Sequence, residues 1–354
     1  MRLIVVRVLG WLVIAHGLLI FVAVMTGLLA CARCAAPALT PLERLGKSVF
    51  FDQRLSLGGN QSCATCHAPQ VGWTGDLPLV NAGPAVYEGS VKGLFGNRKP
   101  PTVAYAFTPV LHTRVEDGET LFVGGHFWDG RATGERLGDP IAEQAQGPFV
   151  NPVEQALPDS GCVVRRVCSA TYVVGLEPRY PGSCSIAWPA DVDAVCAQRT
   201  GRLQLEPRDR AMSDRAYDHI ATAVAAYERS QEVKPFSSKF DRSLAGEVSL
   251  TTAEKAGLEL FAGRGKCANC HPFDKRPDGQ APLLTDFTFD NPGGASESRE
   301  PLVQGERAES CWRLVGRQRP WSVPRHATGM ARARGRQPGQ AQGPNIAERG
   351  APPE

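Results

Sequence analysis

Two five-residue groups carry the residue types most suited to chemistry: Cys63-Ala64-Thr65-Cys66-His67 and Cys267-Ala268-Asn269-Cys270-His271. In each, two residues separate the cysteines, so a single turn brings both sulfurs to one side. Thiols so placed add across the vinyl groups of haem, and the adjacent His falls beneath the iron as an axial imidazole. A zinc knuckle and a dithiol redox pair use the same CxxC spacing. Repetition of the group, each time closed by His and each time behind a helix-like stretch, favours two covalently attached haems c. Cys63, Cys66 and His67 hold the first; Cys267, Cys270 and His271 hold the second.

The elements that must position these groups read as helices. Leu42, Leu45 and Val49 recur at helical spacing in residues 41–51, and Ala253, Ala256 and Leu260 do so in 251–261. Thr251 with Glu254 three positions on forms a capping box. A third helix is expected over 215–232, with Ile220, Val224 and Tyr227 on its apolar face. Strands are not evident, and loops rich in Gly, Pro and Asn join the helices. The pattern predicts a mainly α fold of two c-type cytochrome-like lobes, each built around one haem.

Composition sets the outer bounds. The chain has 354 residues, 42% hydrophobic and 21% charged, which excludes a collagen, a wholly disordered chain and a polytopic membrane protein. A net charge of +3 leaves no strong nucleic-acid footprint. Arg2 and Arg7 precede an almost wholly apolar run over residues 11–30, long enough to span a bilayer. A signal peptide, a retained anchor and a lipoprotein signal acylated at Cys31 are the readings of residues 1–36, and each sends the chain out of the cytoplasm. Eleven cysteines fit an oxidising compartment such as the periplasm.

Further motifs run through residues 42–291: Leu45-Gly46-Lys47, Phe50-Phe51-Asp52, Gly72-Trp73-Thr74, Asn97-Arg98-Lys99-Pro100-Pro101-Thr102, Phe127-Trp128-Asp129-Gly130-Arg131, Asn151-Pro152-Val153-Glu154 and Thr285-Asp286-Phe287. Their order and content resemble the bacterial di-haem cytochrome c peroxidases, a superfamily that includes the MauG-type enzymes. The resemblance implies that the N-terminal haem meets hydrogen peroxide. The other haem accepts electrons from a small cytochrome c or a copper protein. It makes His67 the proximal ligand of the peroxide haem and Glu154 the distal acid that moves a proton between the peroxide oxygens. Gln144 and Pro148 line the distal pocket by the same resemblance, Trp128 relays electrons between the haems, and Arg131 pairs with a haem propionate. Asn97 matches a position that helps bind calcium. Family members often form homodimers.

Ordinary roles stand beside each of these. Glu154 reads also as a solvated loop carboxylate, Trp128 as a core side chain, Arg131 as half of a surface ion pair, and Asn97 as a turn residue. Some relatives hold a distal His shortly after the first CxxCH, yet no His lies between His67 and His112. His112 and His126 remain as ligands or as packing residues. The absence points to an open first haem, as in MauG-type enzymes.

Cys162, Cys168, Cys184 and Cys196 form a separate cluster, readable as two disulfides with three pairings or as a metal site. From Gly294 onward the chain holds ten arginines and no Lys, Phe or Tyr, which predicts a disordered or frameshifted tail. Met330 there does not match a haem ligand, and Cys311 is left odd. The expected division is therefore a haem domain over 37–240 with a Cys-rich insertion near 160–199, an incomplete second haem domain over 241–293, and the tail over 294–354. The activities that fit are peroxide reduction, MauG-like oxidation of a protein or organic substrate, and electron carriage by a di-haem protein or inactive remnant.

Overall fold

The computed structural model describes residues 38–75, 86–96 and 98–289. The N-terminal apolar run, Cys31, Asn97, Cys311, Met330 and the arginine-rich tail lie outside them. The chain divides into two units, Met1–Thr40 and Pro41–Glu354, and the described helices and strands all belong to the second. Among the described residues no helix is long and apolar enough to cross a membrane.

Helix α1 (Pro41–Phe50) matches the expected helix, with Leu45, Gly46, Val49 and Phe50 buried on one face. The short helix α2 (Cys63–Cys66) carries the first pair of thiols. Strands β1 (His112–Glu116) and β2 (Glu119–Val123) form an antiparallel hairpin, which corrects the strand-free expectation. Its turn is Asp117-Gly118, both at positive φ (52° and 78°), the combination that matches the twist of a two-residue hairpin.

Helix α3 (Pro140–Val150) starts at the Asp139 cap, and α4 (Ser160–Cys168) at the Asp159 cap. After α5 (Val192–Cys196) comes the central helix α6 (Pro207–Glu228). It packs against α1, α3 and α4 through Ala216, Ile220, Ala221, Ala223, Val224 and Tyr227. Small residues allow a close crossing: a Cβ on Gly46 would lie 1.8 Å from the Ala223 carbonyl oxygen. Helices α7 (Lys239–Leu244) and α8 (Thr252–Ala262) come next, and α8 begins at the expected Thr251–Glu254 capping box.

The Cys-rich excursion is closed by two disulfides, Cys162–Cys196 and Cys168–Cys184, which selects one of the three pairings. Cys162 anchors the excursion in the core at 0% exposure.

Candidate active site

The first CxxCH is held by backbone bonds on both sides. Ser56 Oγ accepts the N–H groups of Asn60 (3.1 Å) and Gln61 (3.0 Å), which sets the approach to α2. The Ser62 N–H donates to Thr65 Oγ1 at 2.9 Å. His67 then donates its N–H to the Cys63 carbonyl at 2.9 Å, closing the turn. The His67 Nδ1 lies 2.9 Å from the Pro101 carbonyl oxygen. A carbonyl only accepts, so Nδ1 carries the proton and Nε2 keeps its lone pair. Burial pushes the His67 pKa down, which keeps the ring neutral and able to ligate. The Pro101 segment is itself fixed: Thr74 Oγ1 donates to Pro100 O (2.7 Å) and Thr102 Oγ1 to Gly72 O (2.6 Å).

The second CxxCH repeats this arrangement. His271 donates its N–H to the Cys267 carbonyl at 2.9 Å, and its Nδ1 lies 2.8 Å from the Leu284 carbonyl oxygen. This site is far more open. No residue of α8 is buried, and Leu260 is 44% exposed. Cys63, Cys66, Cys267 and Cys270 lie outside the two disulfides. Among the described residues no group of three or more His, Cys, Asp or Glu is arranged to hold a metal ion, so neither pair gathers a zinc knuckle's ligands. Paired thiols one turn apart, with a neighbouring imidazole whose Nδ1 faces a main-chain carbonyl, fit covalently attached haem at both places.

Glu154 sits in the turn that follows α3. Its carbonyl accepts from Ser90 N (2.7 Å), and the next carbonyl, Gln155 O, accepts from Leu57 N (2.7 Å). Burial raises the Glu154 carboxyl to about 7, against the opposing Arg131 charge and a hydrogen bond from Asn151. Glu154 also acts electrostatically on the Cys63 thiol, which places it in the neighbourhood of the first thiol pair. Gln144 and Pro148 lie one turn apart on α3, and Pro148 has no N–H to offer the Gln144 carbonyl.

Other expected residues are more scattered. His112 is exposed on β1 with its Nδ1 3.0 Å from Val110 O. His126 is half-buried, and burial, Arg229 and His67 push it down to about 4, so it is neutral at pH 7. Trp128 is 64% exposed, with its Nε1 3.5 Å from the Lys99 carbonyl, which corrects the core-side-chain reading. Arg131 pairs with Asp129 at 2.8 Å and lies over the Phe127 ring at 3.6 Å, so its partner here is a neighbouring carboxylate.

One connection is not expected from the sequence. The segment after the second CxxCH returns to the hairpin: Gly124 N donates to Phe287 O (2.9 Å), and Phe289 N donates to Phe122 O (3.1 Å). The same segment supplies the Leu284 carbonyl to His271. Beside it lies a cavity of about 270 Å³ lined by Tyr105, Phe107, His126 and Phe287 among others. The segment after the second CxxCH is thus hydrogen-bonded to β2 and its end, and the turn bearing Trp128 follows directly from β2.

Glu228, at the end of α6, is not singled out by any motif. It is 3% exposed, and burial raises its carboxyl to about 8. It too acts on the Cys63 thiol. A signal exists all the same: Glu228 lies four residues after Val224, on the helix's apolar stripe.

Comparison with known proteins agrees with this geometry. The sequence profile of the family described as "Di-haem cytochrome c peroxidase" matches residues 40–249. The chain is 34% identical over 264 residues to the methylamine utilization protein MauG of Paracoccus denitrificans, covering 74% of this chain and 59% of that protein. It is 30% identical to the cytochrome c551 peroxidase of Pseudomonas aeruginosa, covering 65% of this chain and 49% of that one. Its fold is similar to the diheme peroxidase BthA of Burkholderia thailandensis, with a TM-score of 0.57, 30% identity, and coverage of 76% and 58%. The chain therefore spans only about half to three fifths of the length of these relatives. The matched profile, which covers more than half of the chain and contains the first CxxCH, assigns this chain to the di-haem cytochrome c peroxidase family.

Proposed function

We propose that the protein is a di-haem c-type peroxidase that reduces hydrogen peroxide to water with electrons from a small cytochrome c or copper protein. The observation that carries this reading is the shared geometry at His67 and His271. Each follows a pair of cysteines outside the disulfides, and each gives its Nδ1–H to a main-chain carbonyl. When bound, haem supplies an iron that delivers electrons to the peroxide O–O bond.

The chain's own residues supply the rest. Cys63 and Cys66 would form the thioethers that hold the first haem, and His67 Nε2 would ligate its iron. Cys267, Cys270 and His271 would do the same at the second site. Glu154, poised near neutrality, accepts the proton of the inner peroxide oxygen and returns it to the outer one. Gln144 and Pro148 shape the pocket on that side. Trp128 relays electrons between the sites, and Asn97 is a candidate calcium ligand. We take residues 37–240 as the first haem domain and 241–293 as the second.

Two disulfides and covalent haem both belong outside the cytoplasm, which supports a periplasmic location with residues 1–36 as signal or anchor. A MauG-like oxidation of a protein or organic substrate is the second reading. It is favoured by the lack of any His between His67 and His112, since His112 lies exposed on the hairpin. The deciding experiment uses the haem-loaded protein. Peroxide consumption that depends on a reduced donor cytochrome supports the first reading. Peroxide-dependent substrate modification without a donor supports the second. A six-coordinate, low-spin first haem at rest by EPR contradicts an open iron face.

A further inference from the structure

We infer that Trp73 and Tyr227 form a second electron path, which links the His67 side of the first site to the protein surface at Glu232. The inference rests on the reading of His67 as ligand of a peroxide-reactive haem. Its evidence is an aromatic cluster that the peroxidase reading leaves unused.

Trp73 lies in the turn after the first CxxCH, with its N–H donated to Ala68 O at 2.9 Å. Its own carbonyl adjoins the His67 imidazole. Its ring centroid is 6.0 Å from that of Tyr227, edge to face, and 5.9 Å from Phe50, which in turn is 5.6 Å from Tyr227. These are direct ring contacts with no saturated side chain between them. Tyr227 is 1% exposed, and its hydroxyl donates to Glu232 Oε2 at 3.3 Å. The same Glu232 oxygen accepts from Lys47 Nζ at 2.6 Å, and this ion pair is half-exposed. The path thus begins beside the axial histidine and ends at solvent.

A phenol gives up an electron readily only if its proton leaves too, and Glu232 is placed to take it. One electron passes from Tyr227 through Trp73 to the haem iron that peroxide has oxidised, reducing that iron by one equivalent. The Tyr227 O–H bond breaks and the proton moves to Glu232 Oε2. A one-electron donor at the surface then reduces the phenoxyl, which recovers its proton from Glu232. Phe50 is too hard to oxidise to take part and serves to hold the two rings in place.

The test is rapid freeze-quench EPR of the haem-loaded protein after peroxide, with the haem absorption spectrum followed in the same samples. The expected result is a tyrosyl signal that narrows with ring-deuterated tyrosine, is lost in Tyr227→Phe, and falls about tenfold in Glu232→Gln. The chain has six tyrosines, so the signal must be assigned by variant. Trp73→Phe keeps the phenol but breaks the path, and is expected to lower the signal even if Tyr227→Phe folds poorly. A haem that reacts with peroxide without a tyrosyl signal, or with one that survives in both variants, overturns the path alone. A haem whose spectrum peroxide leaves unchanged overturns the reading of the site and the path with it.

Discussion

The His67 imidazole is fixed by the carbonyl of Pro101, 34 residues away in sequence, at 2.9 Å. Pro101 restrains that carbonyl through its locked φ. Pro101→Gly is expected to cost about 0.4–1 kcal/mol of stability by freeing the unfolded chain. It is also expected to let the ring rotate. A broadened high-spin EPR signal from the first haem, with both haems still attached by mass, is the expected readout.

Glu154 is expected to matter for turnover and not for attachment. Glu154→Gln should lower peroxide turnover by about 10²–10⁴-fold while leaving the haem count unchanged. The group must be ionised to take the first proton, so the native rate rises as pH passes through about 7 and levels off above it. In Glu154→Gln that limb disappears. Steady-state rates between pH 5 and 9 check both parts.

Glu228 is expected to act on stability. Its folded-state pKa of about 8 lies above the ordinary carboxyl value, so the folded state binds its proton more tightly. Native stability then falls as pH rises from about 4.5 to 8, and the loss is complete above that. Glu228→Gln is expected to be close to native in stability at pH 5 and more stable by on the order of 2–4 kcal/mol at pH 9. Urea unfolding at the two pH values measures this. An equal difference at both would contradict it.

Gly46 sets the distance between α1 and α6. Gly46→Ala places a methyl against the Ala223 carbonyl, where backbone must move, and is expected to cost about 3 kcal/mol or more. Thermal unfolding gives the size of the loss. Gly257 on α8 has open space around it and serves as the control: Gly257→Ala is expected to be neutral or mildly stabilising.

The features legible in the sequence are local ones. The two CxxCH groups, the α1 pattern and the Thr251–Glu254 cap each depend on residues within a turn or two of one another. Helix α6 begins at Pro207, eight residues before the expected start, because its first turns face solvent and carry no apolar period. Pro207 at its first position and Asp209 in its first turn are the signals that mark the true start. The hairpin is hard to read although Asp117-Gly118 announces it, since β1 is exposed along its length and shows no alternation. The disulfide pairing, the Pro101 and Leu284 carbonyls and the burial of Glu228 depend on contacts between distant segments, which spacing alone does not encode.

The two disulfides also bear on how the chain matures. Among the described residues eight cysteines must be sorted into two fates, four oxidised and four kept reduced for thioether formation. Cys162 and Cys196 are sealed in the core, so once formed their bond is closed to attack by another thiolate. Burial also pushes the Cys63 thiol up, which makes it a weak participant in exchange. Burial thus seals one disulfide from exchange, whereas Cys168–Cys184 is half-buried, as are Cys63, Cys66 and Cys270. Cys267, the exposed one of the four, is the cysteine whose delayed capture would most readily scramble the set.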